Sequence, residues 1–546
     1  MRILFYNWVD YLDDEKRGGG VTVYQRNVIQ ALAGRSDVEA LFLSSGISYD
    51  LFSSKPRWER VRHGSAQDRS RRFEIVNSGV LSPSHHSFGN TAQVEQPETA
   101  EVFFDFMEKK GPFDVVHFNN LEGVPAAVLR LKERFPNTRV VFSLHNYYPL
   151  CPQVNLWFQE RENCRDFEHG RRCETCLPHR HDERIVRLAN AVAFNLKKWG
   201  VRPGTRLFDR AFMPGMRFAR RAIGAYARLS RKGREALALP SAPPLRPGKA
   251  GLLTPLHLPH RAFQDRRERF VETINAHCDV VLGVSARVCD VAAHFGIAPE
   301  LLRTSYIGTA QAPKWAETEP RPQIVQPDGT LTIAYLGYMR QDKGFFFLLD
   351  ALEALPAAMA ARIRLVICAR RGDEHTMLRL SALSDRFLDV QYANGYSHKE
   401  LDTLLADVDL GVVPVLWEDN LPQVAIEMHA RHIPLLTSDL GGAQELARCP
   451  DMVFRSGSIP AFHTAITNIL AGRISSADYW RHALVPVSME EHVEQLLAIF
   501  RNDETAMPPL HVPAAIPVSA SPGTKLRPAK DPARGWRRPK RNTARP

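Results

Sequence analysis

The chain has 546 residues, 44% hydrophobic and 24% charged, the balance of a globular protein too long for a single core. No apolar run reaches the roughly 20 residues of a membrane span, and the apolar start MRILFYNWV soon turns acidic without a small-residue cleavage site, so it predicts a buried first strand rather than a signal peptide. The net charge of +11 is unevenly held: residues 184–249 carry sixteen Lys and Arg against two acids, and residues 505–546 carry nine against one, which leaves the remainder acidic and excludes a globally basic nucleic-acid binder.

Taken in chain order, RILFYNW (2–8), VEALFLSS (38–45), FDVVHFNN (113–120), RVVFSLHN (139–146) and CDVVLGVS (278–285) read as short buried strands. A second series follows in LTIAYLGY (331–338), IRLVICAR (363–370), LDVQYANG (388–395), DLGVVPV (409–415) and IPLLTSD (433–439). Amphipathic stretches such as VTVYQRNVIQALAG and HKELDTLLADV lie between them. Continuous apolar strands alternating with helices predict an α/β chain of two doubly wound parallel sheets. The first domain is expected over 1–314 and the second over 331–487, joined by a Pro- and charge-rich linker at 315–330. A terminal helix is expected over 488–504 and a disordered basic tail over 505–546, where Pro, Ala and Arg dominate. Residues 151–260 break the rhythm and read as an insertion in the first domain, cysteine-rich and then basic.

Four cysteines, Cys278, Cys289, Cys368 and Cys449, are scattered and read as small buried hydrophobes of a reducing compartment. The others, Cys151, Cys164, Cys173 and Cys176, cluster in CPQVNLWFQERENCRDFEHGRRCETC. Free thiols and a structural zinc site fit them equally; His145, His169, His179 and His181 are substitute ligands, and a thiol-rich set does not suit a catalytic metal. The basic insertion mixes Arg and Lys with Phe, Trp and Leu at helical spacing. It fits an anionic membrane surface and a solvated helical insertion alike. The tail fits unspecific phospholipid or nucleic-acid contact, or none.

In a parallel sheet, ligands bind beyond the carboxyl ends of the strands. DNLPQVAIE (419–427) begins at that edge, with Asn420 placed to cap a helix and Pro422 to open it. Asp419 would then stand at the helix mouth and Glu427 point inward, two acceptors for a polyhydroxylated ligand such as a nucleotide-sugar. A capped helix with a surface Glu fits the same residues. Gly18, Gly19 and Gly20 open the helix after the first strand, where missing side chains let backbone approach a ligand.

The run DNLPQVAIEMHARHIPLLTSDLGGAQE (419–445) resembles the C-terminal signature of glycosyltransferase family 4, retaining enzymes of the GT-B fold: an acid, seven residues, Glu, a helix, a strand and GGxxE. YLGYMRQDKGFFFLLDAL (335–352) resembles the family's diphosphate-binding turn through Lys343 and Gly344, with Tyr338 where the family has Arg and Arg340 as a substitute. GGGVTVYQ resembles its cleft loop, and VVFSLHNYYP the strand ending in a His that faces the donor sugar, here His145. The resemblance covers about 1–50, 110–150 and 275–500. It implies catalytic roles for His145, Asp419 and Glu427, with Asp419 or Glu418 on sugar hydroxyls and Glu427 on the ribose. Lys343, Arg340, Glu418, Asn420, Leu421 and Glu445 would bind the donor. The implied reaction is metal-independent transfer of a sugar from a nucleotide-sugar to an acceptor hydroxyl, with retention, by front-face attack assisted by the leaving phosphate and with no cofactor. The expected setting is cell-surface polysaccharide or glycolipid synthesis in the cytoplasm, at the inner face of the membrane, with a saccharide or lipid-linked acceptor. The departures at Tyr338 and Asp419 keep a non-catalytic GT-B-like scaffold open, and a sugar-nucleotide epimerase shares the fold.

Overall fold

Each apolar series closes into its own sheet. The computed structural model describes residues 1–15, 17–177, 182–212, 214–215 and 258–513. The first sheet has eight strands in the order β10-β9-β6-β5-β1-β2-β4-β3. They are β1 (Arg2–Tyr6), β2 (Glu39–Ser48), β3 (Arg57–Arg60), β4 (Arg72–Val76), β5 (Val115–Phe118), β6 (Arg139–Leu144), β9 (Val280–Gly283) and β10 (Leu302–Thr304). All neighbours are parallel except β3 and β4. A separate hairpin pairs β7 (Trp157–Phe158) with β8 (Glu162–Asn163). The second sheet is wholly parallel, with six strands ordered β13-β12-β11-β14-β15-β16. These are β11 (Leu331–Gly337), β12 (Ile363–Ala369), β13 (Asp389–Asn394), β14 (Leu410–Val413), β15 (Leu435–Ser438) and β16 (Val453–Phe454).

The central strands explain the continuous apolar runs. Every residue of β5 and of β14 is buried, because helices cover both faces of each sheet. Strand β3 departs from the pattern: RWER is half-exposed and lies at the sheet edge, so it carries no apolar signature.

The terminal helix, Met489–Arg501, opens with a capping box between Ser488 and Glu491. Although it follows the second sheet, its apolar face packs on the first. Val493, Leu496, Leu497 and Ile499 share a core with Ile3, Val28 and Val115, and the Phe500 ring stands 6.2 Å from Phe5. The chain therefore crosses back and ties the two domains together.

Three expectations are corrected here. Residues 505–513 are no loose tail: Leu510 bridges Arg303 in antiparallel fashion, the His511 N–H donates to Leu302 O at 2.8 Å, and the His511 ring meets Asp290 at 2.8 Å. The segment 315–330 is packed rather than a free linker, since Trp315 stacks 4.0 Å from the His432 ring and Arg321 donates to Ala406 O at 2.7 Å. HKELDTLLADV yields only the four-residue helix Leu401–Leu404. Residues 216–257, 178–181 (with His179 and His181) and 514–546 lie outside the described residues, and with them most of the basic insertion and the tail. No helix among the described residues is long and apolar enough to cross a membrane.

Candidate functional site

The residues singled out from sequence gather at the carboxyl ends of the strands, on both sides of the seam between the sheets. In the second domain the turn after β11 carries Lys343, and Gly344 sits at φ +72°. A Cβ there would stand 1.7 Å from Pro414 O, so only glycine lets this turn press against the end of β14. The contact delivers Lys343 Nζ to Asp419 Oδ2 at 2.6 Å, above the Trp417 ring at 5.1 Å. Asp419 is buried and Lys343 half-buried, which makes the pair a fixed charge arrangement rather than a surface contact. Arg340, the other expected cation, instead pairs with Asp342 at 2.8 Å and stays largely exposed.

DNLPQVAIE folds somewhat differently from expectation. The helix begins at Gln423, with Pro422 at its cap position, and runs only seven residues, Gln423–His429. Asn420 caps nothing; its side-chain amide donates across the seam to Leu144 O at 3.1 Å, next to His145. Leu421 is buried in the core. Glu427 faces inward as expected, 5% exposed. Its partners lie on the loop after β13: Tyr396 Oη donates at 3.0 Å, and His398 Nε2 stands at 3.1 Å. The Glu427 hydrogen bond raises His398 above the ordinary histidine value, and burial with the same carboxylate raises Tyr396. Tyr396 and His398 have no sequence signal beyond NGYSH directly after a strand, the position where ligand-facing loops begin.

Two of the expected donor acids serve elsewhere. Glu418 is 3% exposed and receives Arg287 from the first domain, Nε at 2.9 Å and Nη2 at 2.5 Å, plus Asn163 Nδ2 at 2.9 Å. Glu445 accepts the backbone N–H groups of Ala286 and Arg287 at 2.8 and 2.7 Å and the Tyr306 hydroxyl at 2.8 Å. It thus caps the helix Ala286–His294 of the other domain together with Ser285, whose hydroxyl also donates to Asn420 O at 2.8 Å. Burial raises Glu445 above the ordinary carboxylate range, opposed by these donors. Both glycines of GGxxE are demanded by this seam. A Cβ on Gly441, at φ +72°, would lie 2.2 Å from Asp419 O, and one on Gly442 would lie 2.4 Å from Asn420 O. No feature of the sequence announces Arg287, Asn163 or Tyr306, because each acts across the domain boundary.

On the first-domain side, His145 follows β6. Its Nε2 is 3.2 Å from Asn119 Oδ1, and its ring is 4.8 Å from Tyr24. Burial, helped by nearby His492, pushes His145 down to about 3, so the imidazole is neutral at ordinary pH. Tyr24 Oη and His492 Nε2 are 2.7 Å apart, which places His145 over the returning terminal helix. Of the three glycines, Gly18 is required by packing, since a Cβ would stand 1.9 Å from Thr22 Oγ1, and Gly19 takes φ +57°. Gly20 faces the second domain: its carbonyl accepts from Gln423 Nε2 at 3.3 Å.

The four clustered cysteines are all buried and unpaired, and burial lifts Cys164 and Cys173 to about 12. Cys176 Sγ turns to Gln153 Oε1 at 3.0 Å and Cys164 Sγ to Asp166 O at 3.5 Å. Among the described residues no three His, Cys, Asp or Glu side chains are grouped so that they would hold a metal ion. The four thiols lie near enough to raise one another's pKa, Cys151 acting on Cys164, Cys173 and Cys176, while the substitute His145 is engaged at the seam.

Residues 317–483 match the family model of the glycosyl transferases group 1. This part of the chain is a glycosyl transferases group 1 domain. The fold of the whole agrees: sucrose-phosphate synthase from Thermosynechococcus elongatus superposes with a TM-score of 0.50 at 14% identity, over 93% of this chain and 100% of that one. HepE from Anabaena, solved with UDP, gives 0.49 at 12% identity over 92% and 100%. The trehalose 6-phosphate synthase from Burkholderia multivorans gives 0.48 at 13% over 92% and 97%. No curated protein sequence matches the chain. The chain thus carries a group 1 domain in its second half and two parallel sheets that match the GT-B fold.

Proposed function

We propose that the chain transfers a sugar, with retention, from a nucleotide-sugar to an acceptor hydroxyl. The observation that carries this reading is the Lys343–Asp419 pair at the ends of β11 and β14, with buried Glu427 on the same edge of a group 1 domain. Asp419 is the acceptor for sugar hydroxyls, and Glu427, oriented by Tyr396 and His398, the acceptor for a ribose diol. Lys343 meets the diphosphate, where negative charge grows as the C1–O bond to phosphate breaks. The acceptor oxygen bonds to C1 from the same face, and its proton passes to the departing phosphate oxygen. His145, kept neutral by burial, offers the donor sugar a hydrogen bond without a competing charge. With Lys343 on the diphosphate and Arg340 within the same turn, this reading assigns charge neutralisation to side chains and no role to a metal. Eight unpaired cysteines suit a reducing cytoplasm. The acceptor in this reading is a saccharide, free or lipid-linked, of polysaccharide or glycolipid assembly.

The test is a thermal-shift panel of UDP, GDP, ADP and CMP, with and without magnesium, on wild type and Glu427→Ala. A shift with one nucleotide that is indifferent to magnesium and lost in the variant supports the donor assignment. If no nucleotide shifts wild type, the reading gives way to a GT-B-like scaffold.

A further inference from the structure

One corner of the first domain is unlike the rest of the surface. Among the described residues, eleven large hydrophobic side chains are exposed, and five fall on two neighbouring segments: Leu51 and Phe52, then Leu188, Trp199 and Leu207. Phe52 is 77% exposed and Trp199 64%, yet their rings lie 6.3 Å apart. Two bulky aromatics held together and left exposed among the described residues form a patch rather than scattered exposure.

The scaffold beneath them is firm. The helix Glu183–Lys198 is capped by Asp182 and tied to the loop after β4 by Arg187, whose guanidinium donates to Ser78 O at 2.7 Å and Gly79 O at 2.8 Å. Leu188 and Trp199 are eleven residues apart, so a helix places them on nearly the same side. After the helix, Gly200 and Gly204 turn the chain at positive φ, and Phe208 is buried as an anchor, leaving Arg206, Leu207 and Arg210 outward.

The charges around the patch decide what it faces. Acids nearby are already answered: Asp50 by Arg57 at 2.7 Å, Glu59 by Lys198 at 3.0 Å, and Asp14 by Lys197 at 3.4 Å. Arg206 and Arg210 form no ion pair among the described residues, and Asp209 between them accepts from Gly204 N at 3.1 Å. In sequence, residues 213–249 then add nine Lys and Arg against one acid. Exposed Trp and Phe beside unanswered arginines match a surface with an apolar interior and an anionic face.

We propose that this corner docks on an anionic lipid bilayer, with Phe52, Trp199 and Leu207 entering the interface and Arg206 and Arg210 meeting lipid phosphates. The cleft of about 80 Å³ beside this corner is lined by acids such as Asp13, Asp14 and Glu74 as well as by Lys197, Lys198 and Arg202, so the lipid phosphates are met on the outer surface rather than inside it. The inference stands on exposure and charge and does not depend on the transfer chemistry.

The experiment is co-sedimentation of the full chain with phosphatidylcholine vesicles, with and without phosphatidylglycerol, at low and high salt. Wild type is expected to bind only the anionic vesicles and to be released by salt. Arg206→Ala/Arg210→Ala should weaken binding about five-fold per charge, and Phe52→Ser/Trp199→Ser should weaken it at least as much as losing both arginines. Brominated lipid should quench Trp fluorescence in wild type and less so in Trp199→Ser. The nucleotide-induced thermal shift must persist in every variant, which separates a lost surface from a lost fold or a failed donor assignment. Binding that is equal on neutral vesicles, unchanged in the aromatic variant, or transferred wholly to soluble heparin would overturn the proposal; the last result would mark a polyanion site instead.

Discussion

Two sets of carboxylates from one sequence signature meet different fates. Asp419 and Glu427 lie at the carboxyl-end edge of the second sheet, each held by side chains of that domain. Glu418, next to Asp419, and Glu445, eighteen residues after Glu427, are spent on the first domain, one on Arg287 and one on a helix start. Half of a motif that looks like a ligand site is therefore fastening, and only Asp419 and Glu427 are left for the proposed donor. The fastening is what holds the ligand half in place, since Gly441 and Gly442 press it against the Asp419–Asn420 backbone.

The largest effect is expected on the fastening side. Arg287→Ala leaves Glu418, 3% exposed, with only Asn163 and the Gly441 N–H as partners. Breaking a buried pair by removing one member costs about 3–5 kcal/mol, so the melting temperature should fall clearly. Arg287→Ala/Glu418→Gln should recover part of the loss, because the buried charge is removed as well. If the double variant is no more stable than the single, the pair is not the interaction that matters.

Next comes the ligand side. Lys343→Ala should lower transfer about 10²–10³-fold, the usual consequence of deleting a group that meets developing charge. Its cost in stability should be smaller, about 1–3 kcal/mol for leaving Asp419 unpaired. A fall in melting temperature as large as that of Arg287→Ala, with activity retained, would erase the distinction between the two sets.

Acidification acts on the fold through its buried histidines. His145 and His492 sit on the seam and His429 in the second domain; burial lowers them to about 3, about 4 and about 4, against an unfolded value of 6.5. Below 6.5 the unfolded chain binds protons that the folded chain refuses. Their contribution is complete above that value and is lost as pH falls toward 4, on the order of 1 kcal/mol per histidine per pH unit. Glu445 runs the other way. Its folded value is raised above 4.5, so the folded chain holds the extra proton and gains stability as pH falls through the raised value. Melting temperature should therefore drop from about pH 7 to about pH 5, and more steeply in Glu445→Gln. An unchanged slope in that variant would mean that Glu445 does not titrate in the fold.

What the sequence made legible follows from locality. Nine of the ten expected strands announce themselves because parallel strands covered on both faces must be apolar, whereas β13, at the edge of its sheet, has no buried residue. Glu427 and Lys343 were readable because their place after a strand is local. Arg287, Asn163, Tyr306 and Tyr396 were not, since each meets its partner across at least 31 residues of sequence. The half-exposed strand β3 and the pairing of Leu510 were missed for a related reason: backbone pairing at a sheet edge makes no demand on side chains.

The smallest expected effect is the most discriminating for the cleft loop. Gly20 lies in the first turn of the helix Gly19–Ala33, and a Cβ there would meet only the Gln423 side chain, at 3.5 Å, an ordinary contact. Helix propensity alone then predicts that Gly20→Ala stabilises the protein by about 0.5–1 kcal/mol. Gly18 and Gly344 do not offer this test, because alanine there collides with neighbours. If Gly20 is glycine so that a substrate can approach the backbone facing Gln423, Gly20→Ala should melt slightly higher while its KM for one substrate rises. If both stability and KM are unaffected, the loop meets the second domain only through the Gln423 contact, and the ligand face ends at Lys343, Asp419 and Glu427.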